Sequence, residues 1–299
     1  MSRMLRRSET AATCLLFVAV LALPGRAAAQ GQANSAQAQA TSAQAQASSA
    51  QAQASSAQAQ ASSTQAQATS VPLAADGKPD LSGIWQVMNT AAWDIQDHAA
   101  TLGVPGGQGV VEGNEIPYQP SALAKKQENF RNRSTADPET KCYQPGVPRI
   151  TYMPYPFQIV QTSDYIAILY EYIHVTRHLY VDGSPHPRGP IDYWLMGDSR
   201  AHWEGNTLVV DVIHFTDQTW FDRAGNFHSD ALHVVERYTP TDRDHMLYEV
   251  TIEDPKVFTR PWKMSMPIYR RQERNLQLLD YECYILLEEQ RAAAGTEAR

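Results

Sequence analysis

After residue 157 the chain is almost entirely a succession of short runs rich in β-branched and aromatic residues, and most gaps between them are too short to hold a helix. The runs fall at residues 157–162, 165–172, 174–181, 197–203, 207–214, 231–238, 246–253, 258–266 and 277–284, with 81–87 ahead of them. Parallel neighbours need a long crossover, so strands joined by turns predict an antiparallel sheet. The sharpest turn signal is Glu204-Gly205-Asn206, between two of the runs. Alternation assigns the faces: Leu208, Val210 and Val212 share one side, as do Leu232, Val234, Glu236 and Tyr238, and again Met246, Tyr248, Val250 and Ile252. Roughly nine strands, each about half apolar, close most economically as a barrel, which leaves no exposed edge. The expected fold class is therefore all-β, an antiparallel β-barrel. One helix is expected at residues 120–133, started by Pro120 or Ser121, with Ala122, Leu123, Lys126 and Phe130 as a partly apolar stripe. It lies in a long Gly/Pro-rich insertion, residues 89–148, read as a lid or plug over the barrel.

The first seventy residues do not belong to that domain. Arg3, Arg6 and Arg7 precede an apolar run at 11–23, and Ala27-Ala28-Ala29 follows before Gln30. That order is what signal peptidase reads, and the run is too short to span a bilayer about 30 Å thick. Residues 1–29 are thus expected to be a cleaved signal peptide. From Ser35 a seven-residue unit of the type SAQAQAS repeats, with Ala as its only apolar residue. Burying alanines alone does not offset the entropy of ordering so long a segment, so residues 30–70 are expected to be a disordered linker. The barrel domain is then 71–289, followed by a flexible tail at 290–299.

Export narrows the remaining chemistry. Of three cysteines, Cys14 leaves with the signal, and in an oxidising compartment Cys142 and Cys283 are natural partners. Their bridge would close a loop of about 140 residues, for which chain entropy gives roughly 5 kcal/mol as an upper figure. The whole chain carries a formal charge of −7, and losing the signal takes it to about −10, without Lys/Arg runs, which argues against nucleic acid and anionic membrane surfaces as partners. No segment after the signal is apolar enough to cross a membrane. Periplasmic or secreted localisation follows.

The opening strand reads Asp80-Leu81-Ser82-Gly83-Ile84-Trp85, and its G-x-W resembles the first-strand signature of lipocalins and related calycin barrels. That resemblance implies a lipocalin-like barrel in which the Trp packs against an Arg from a late strand, Arg270 or Arg271 here. The segments Trp203-Glu204-Gly205-Asn206-Thr207-Leu208-Val209-Val210, Phe227-His228-Ser229-Asp230-Ala231-Leu232 and Asp254-Pro255 to Arg260-Pro261-Trp262 resemble a large group of secreted bacterial proteins. The likeness covers about residues 79–283 and carries no established reaction. The long insertion after the first strand, and the lack of an obvious C-terminal helix, depart from the lipocalin pattern.

Eight of the nine histidines lie between His174 and His245, and clustering in a β-rich stretch is expected to bring several toward one barrel interior or mouth. If 170–178 is one regular strand, Tyr170, Tyr172, His174, Thr176 and His178 share a face with Glu171 and Arg177 opposite, and the two His rings stand about 13 Å apart, too far for one metal. The connection 215–230 holds Trp220, Asp222 and His228, where an Asp on a His ring would suit acid/base work. Ser229 beside His228 lacks the G-x-S-x-G elbow of a serine hydrolase. Glu236 on an apolar face is either paired with an Arg such as Arg177 or Arg260, or a catalytic acid. Arg149 and Tyr155 lie in a Pro/aromatic strap, Arg149 serving either an anionic ligand group or a fold-bracing salt bridge, and Trp262 is a core residue or lines a cavity.

The leading expectation is an extracytoplasmic barrel whose cavity takes a small, partly apolar or aromatic metabolite. His174, His228, Glu236 and Arg177 are the candidate catalytic residues for a cofactor-free lyase, isomerase or cyclase reaction. Arg149, Tyr155, Glu171, Trp220, Asp222 and Trp262 are the candidate ligand contacts. No nucleotide fingerprint, P-loop or metal motif is present, so neither cofactor nor metal is expected. The alternatives are a non-catalytic carrier, a metal-dependent hydrolase and a structural envelope protein.

Overall fold

The structure, a computed structural model, describes residues 51, 53–55, 70–189 and 195–297. It forms two compact units, residues 1–64 and 65–299. In the first, the described residues Gln51 and Gln53 to Ser55 are helical, and Ser55 Oγ donates to Gln51 O at 2.8 Å. The expected signal peptide lies outside the described residues.

The second unit is a closed barrel of β1 (Gly83–Gln86), β2 (Phe157–Gln161), β3 (Tyr165–Tyr170), β4 (Thr176–Tyr180), β5 (Asp198–Glu204), β6 (Thr207–Ile213), β7 (His233–Pro240), β8 (His245–Glu253) and β9 (Trp262–Arg270). Each strand pairs with the next and β9 closes on β1, Trp85 opposite Arg270. All neighbours are antiparallel except β4 and β5, which run parallel through Leu179 opposite Ser199. This corrects the purely antiparallel expectation, and the reason is parity. A ring of strands alternating up and down closes only when their number is even, so nine strands must include a parallel pair.

Three α-helical elements are added, α1 (Pro120–Ala136), the single turn α2 (Arg149–Tyr152) and α3 (Cys283–Glu297), with short 3-10 turns at Glu112–Asn114 and Pro138–Lys141. No strand forms at the expected 277–284, and the chain enters α3 at Cys283. In α1, Pro120 sits at the first helical position and a sequence of Ala, Leu, Lys, Gln, Glu and Arg carries the helix three residues past its expected end. Its buried residues are Ala122 and Asn129, whereas Leu123 and Phe130 are exposed. The helix is therefore held by a narrow contact, not by the expected apolar stripe. At that contact Gly225 has φ 85°, and a Cβ there would stand 2.8 Å from Asn129 Cβ, so glycine lets the loop approach the helix.

The alternation read from β6, β7 and β8 holds: Val210, Val212, Val234, Tyr238, Met246, Tyr248, Val250 and Ile252 are buried. Gly205, at φ 60°, makes the two-residue turn between β5 and β6. The stretch 170–178 is not one strand. Ile173 and His174 take φ 44° and 53°, the chain turns back, and β4 pairs with β3. Arg270 of β9 stacks on Trp85, guanidinium carbon 4.0 Å from the ring, and donates from Nη1 to Ser82 O at 2.6 Å.

The insertion leaves β1 alongside β9, where Val111 bridges Met264, and reaches the end of the barrel at which β9 starts, where Tyr118 bridges Phe258. The connections 171–175, 214–232 and 254–261 gather at this same end. A disulfide between Cys142 and Cys283 ties the insertion to the start of α3.

Candidate functional site

The barrel interior is filled. Leu81, Ile159, Ile166, Ile168, Leu179, Leu208 and Tyr238 close on one another without room for a water molecule. Deeper polarity is consumed internally. Arg177 Nη1 donates to Glu236 Oε1 at 3.0 Å, Nη2 donates to Oε2, and Nε donates to Ser199 Oγ at 3.0 Å. Tyr238 and Tyr248 hydroxyls donate to Glu236 Oε1 at 3.0 and 2.6 Å. With Glu236 0% and Arg177 3% exposed, this is a sealed ion pair with its hydrogen-bonding capacity met. Glu236 and Arg177 are spent on each other and on these partners, and neither lines the cleft beneath α1.

Nor do the histidines converge on the barrel interior: the three that gather, His186, His214 and His233, do so about Asp211 and Asp198, with His186 2.7 Å from Asp198, His233 2.8 Å from Asp211 and the His186 and His214 rings 6.3 Å apart, and Asp211 lies on the outward parity of β6. His178 flanks the inward Arg177, so strand parity turns it outward beside Tyr165. His202, His233 and His245 also lie outside, each next to a carboxylate: Glu204 at 3.2 Å, Asp211 at 2.8 Å and Asp242 at 2.8 Å. His174 is exposed in the β3–β4 turn, 3.0 Å from Glu282. His228 alone of the candidate pair is buried. Its Nδ1 lies 2.9 Å from Ser229 O and so carries the proton, leaving Nε2 to accept from Thr219 Oγ1 at 2.6 Å. Burial holds its pKa below the ordinary histidine value, so the ring is neutral, packed between Phe215 and Phe221.

Several expected ligand contacts are likewise structural. Glu171 Oε2 accepts from Leu279 N at 2.9 Å, and Tyr155 packs on Tyr172 and Tyr281. Trp220 bridges Phe227, and Trp262 is buried edge-on against Phe221 and Phe258. Arg149, 1% exposed, forks Asp137 at 2.9 and 3.1 Å and reaches Glu139 at 2.6 Å, which is the salt-bridge alternative.

Among the described residues, open space of similar volume lies at two places: by Gln86, Met88 and Tyr269 to Glu273, about 570 Å³, and beneath α1. A half-open cleft of about 610 Å³ is bounded by the loop carrying Trp93, Asp94 and His98, by Phe130 and Arg133 of α1, and by Glu139 and Arg223. Its base is the Arg149 network: Glu139 also receives Arg223 Nε at 2.8 Å and Nη2 at 2.5 Å. Pinned this way, the Arg223 guanidinium lies 4.0 Å over the Trp93 ring, while that of Arg133 lies 4.2 Å over Phe130. The two acids and two arginines cancel in charge, and the arginines hold Glu139 below the usual carboxylate range despite its burial.

Asp222 stands behind this wall, fully buried. It accepts from Ile95 N at 3.0 Å, Asn226 N at 3.1 Å and Asn226 Nδ2 at 2.5 Å. Desolvation, and then the negative charge of Asp94, push its pKa from 3.8 to about 7, and Asp94 is itself raised by burial. Burial first and the neighbouring charge second thus favour the protonated form of Asp222.

Of the expected site residues, only Asp222 and Arg149 adjoin the cleft, both from behind. Phe130 and Arg133 are one helical turn apart on α1 and Trp93 and Asp94 are neighbours, but these pairs, Glu139 and Arg223 come from segments far apart in sequence. The one signal in the sequence was their setting in the long insertion and in the 215–230 connection, since binding groups concentrate on loops at a scaffold's end. Among the described residues no group of three His, Cys, Asp or Glu is arranged to hold a metal ion, and no helix is long and apolar enough to cross a membrane. Compared with known proteins, the chain matches no family model, no curated protein and no solved structure.

Proposed function

We propose that this is an extracytoplasmic binding protein whose barrel is a solid scaffold and whose ligand, a small and partly apolar or aromatic molecule, sits in the cleft under α1. The observation that carries the reading is the cleft itself: about 610 Å³, within the range of small-molecule sites, mostly apolar, with a few fixed charged groups. Location outside the cytoplasm is supported by the leader-like N-terminus and by the Cys142–Cys283 bridge. A lipocalin-like ancestry is supported by the Arg270–Trp85 stack and by a helix after the last strand; the parallel β4–β5 pair and the filled interior count against it.

A direct test is a titration with the neutral fluorophore phenylnaphthylamine. Saturable, single-site binding is expected, and Ala99→Trp, which places a large ring in the cleft from an exposed wall position, should abolish it. Binding that is not saturable, or that survives Ala99→Trp, refutes the reading.

A second reading, acid/base catalysis in the same cleft, rests on the Asp94–Asp222 pair. A carboxyl with a pKa of about 7 is suited to proton transfer near neutral pH. Asp94 lines the cleft whereas Asp222 does not, so Asp94 would exchange the proton and Asp222 would hold its affinity for it.

A further inference from the structure

The cleft's walls also specify the ligand's charge, an inference that rests on the binding reading above. Trp93 and Phe130 offer aromatic surface, and each has a guanidinium carbon near its ring centre, at 4.0 and 4.2 Å. Those guanidinium groups are not exhausted. Arg223 spends Nε and Nη2 on Glu139, which leaves Nη1 with no partner among the described residues. Arg133 spends Nη1 on the carbonyl of Phe130 at 2.7 Å, and among the described residues no carboxylate pairs with it. Of the acids at the cleft, Asp137 and Glu139 are neutralised by Arg149 and Arg223, and Asp94 lies in the field of Lys126 and His98. Spare, forked N–H donors beside flat apolar rings match a planar acid, because a carboxylate takes two parallel guanidinium bonds while its ring stacks.

We infer that the cleft takes an aromatic carboxylate, its ring lying against Trp93 and Phe130 and its carboxylate held by Arg133 and the spare Nη1 of Arg223. A carboxylate there completes the charge of Arg133, and a neutral isostere of the same shape does not.

The experiment is displacement of phenylnaphthylamine from the full chain by naphthoate and by its neutral amide, naphthamide, at pH 7.5. Naphthoate is expected to displace the probe at concentrations at least about tenfold lower, a preference that weakens with added salt. Arg133→Gln is expected to weaken naphthoate about tenfold and so to erase the preference, and Arg133→Lys, which keeps the charge without the fork, to restore part of it. Unfolding curves matching the parent would show that the exposed helix position had not disturbed the fold. Equal displacement by acid and amide, or a preference that survives Arg133→Gln, overturns the assignment. If the probe is bound and blocked by Ala99→Trp in that same experiment, the cleft reading stands and only the ligand class falls; if the probe does not bind at all, both fall.

Discussion

Replacing Glu236 by Gln should unsettle this barrel far more than the loss of one charge suggests. The carboxylate accepts from Arg177 twice and from the hydroxyls of Tyr238 and Tyr248. A glutamine oxygen in the place of Oε1 still serves both tyrosines, but the amide nitrogen then points its own donors at Arg177 Nη2. That leaves a cation, 3% exposed, without its counter-charge. Breaking one partner of a buried pair costs about 3–5 kcal/mol, a large fraction of the roughly 5–15 kcal/mol that holds a domain together. Arg177→Met should cost a similar amount by stranding the carboxylate. The double variant should cost less than the sum of the two, by up to about 3 kcal/mol, because each partner's penalty arises from the other's presence. Urea unfolding with the disulfide intact, followed by tryptophan fluorescence, measures all four corners of the cycle. A Glu236→Gln protein within about 1 kcal/mol of the parent, or strictly additive single changes, would show that water reaches the pair and that the interior is not sealed.

Three other outcomes are expected. Changing Cys142 and Cys283 together to Ser frees a loop spanning 141 residues and should lower stability by about 2–5 kcal/mol, read from the shift of the urea midpoint under non-reducing conditions. Asp222 is raised from 3.8 to about 7 in the fold, so the native state binds more protons than the unfolded chain between those values; stability should therefore fall as pH rises from about 4 to 7, and Asp222→Asn should flatten that slope even though it also costs a hydrogen bond to Asn226. Leu208→Ala, in the tightly closed interior layer, should cost about 2–5 kcal/mol by leaving a void, measured by the same unfolding curves.

What the sequence made legible is whatever repeats with a short period. Leu208, Val210, Val212, Val234 and Tyr238 could be assigned an inner face because a strand alternates, and a barrel buries one side. The same rule located Glu236 among apolar neighbours and left it two roles, a partner for an Arg or a catalytic acid, of which the structure shows the ion pair with Arg177. The histidines were misjudged in place: His186, His214 and His233 gather about Asp198 and Asp211, but His178, His202 and His233 occupy the outward parity of their strands, and His174 sits in a positive-φ turn that no propensity announced. The cleft was not legible because its contacts are between loops. Arg223 meets Trp93 and Glu139 across separations that no local pattern encodes, and α1 was visible as a helix while the side it would bury was not.

The odd number of strands ties these results together. Because β4 and β5 run parallel, the chain must return along the barrel between residues 180 and 198, and β5 then starts at the end where the insertion and the connections 214–232 and 254–261 already lie. One end therefore receives most of the irregular chain. Irregular chain cannot enter the barrel, whose strands have paired their own backbone and whose inward side chains fill the space. It must build outward instead, layer on layer, held by polar ties that span long separations: Tyr152 Oη to Phe221 O at 2.7 Å, Tyr118 Oη to Asn226 Oδ1 at 2.9 Å, and Arg149 to Asp137 and Glu139. A cap made this way has rigid walls and imperfect filling, which is the condition for a cleft with fixed donors. On the binding reading proposed above, function belongs to the cap, and changes that open the barrel should remove it only by unfolding the scaffold beneath.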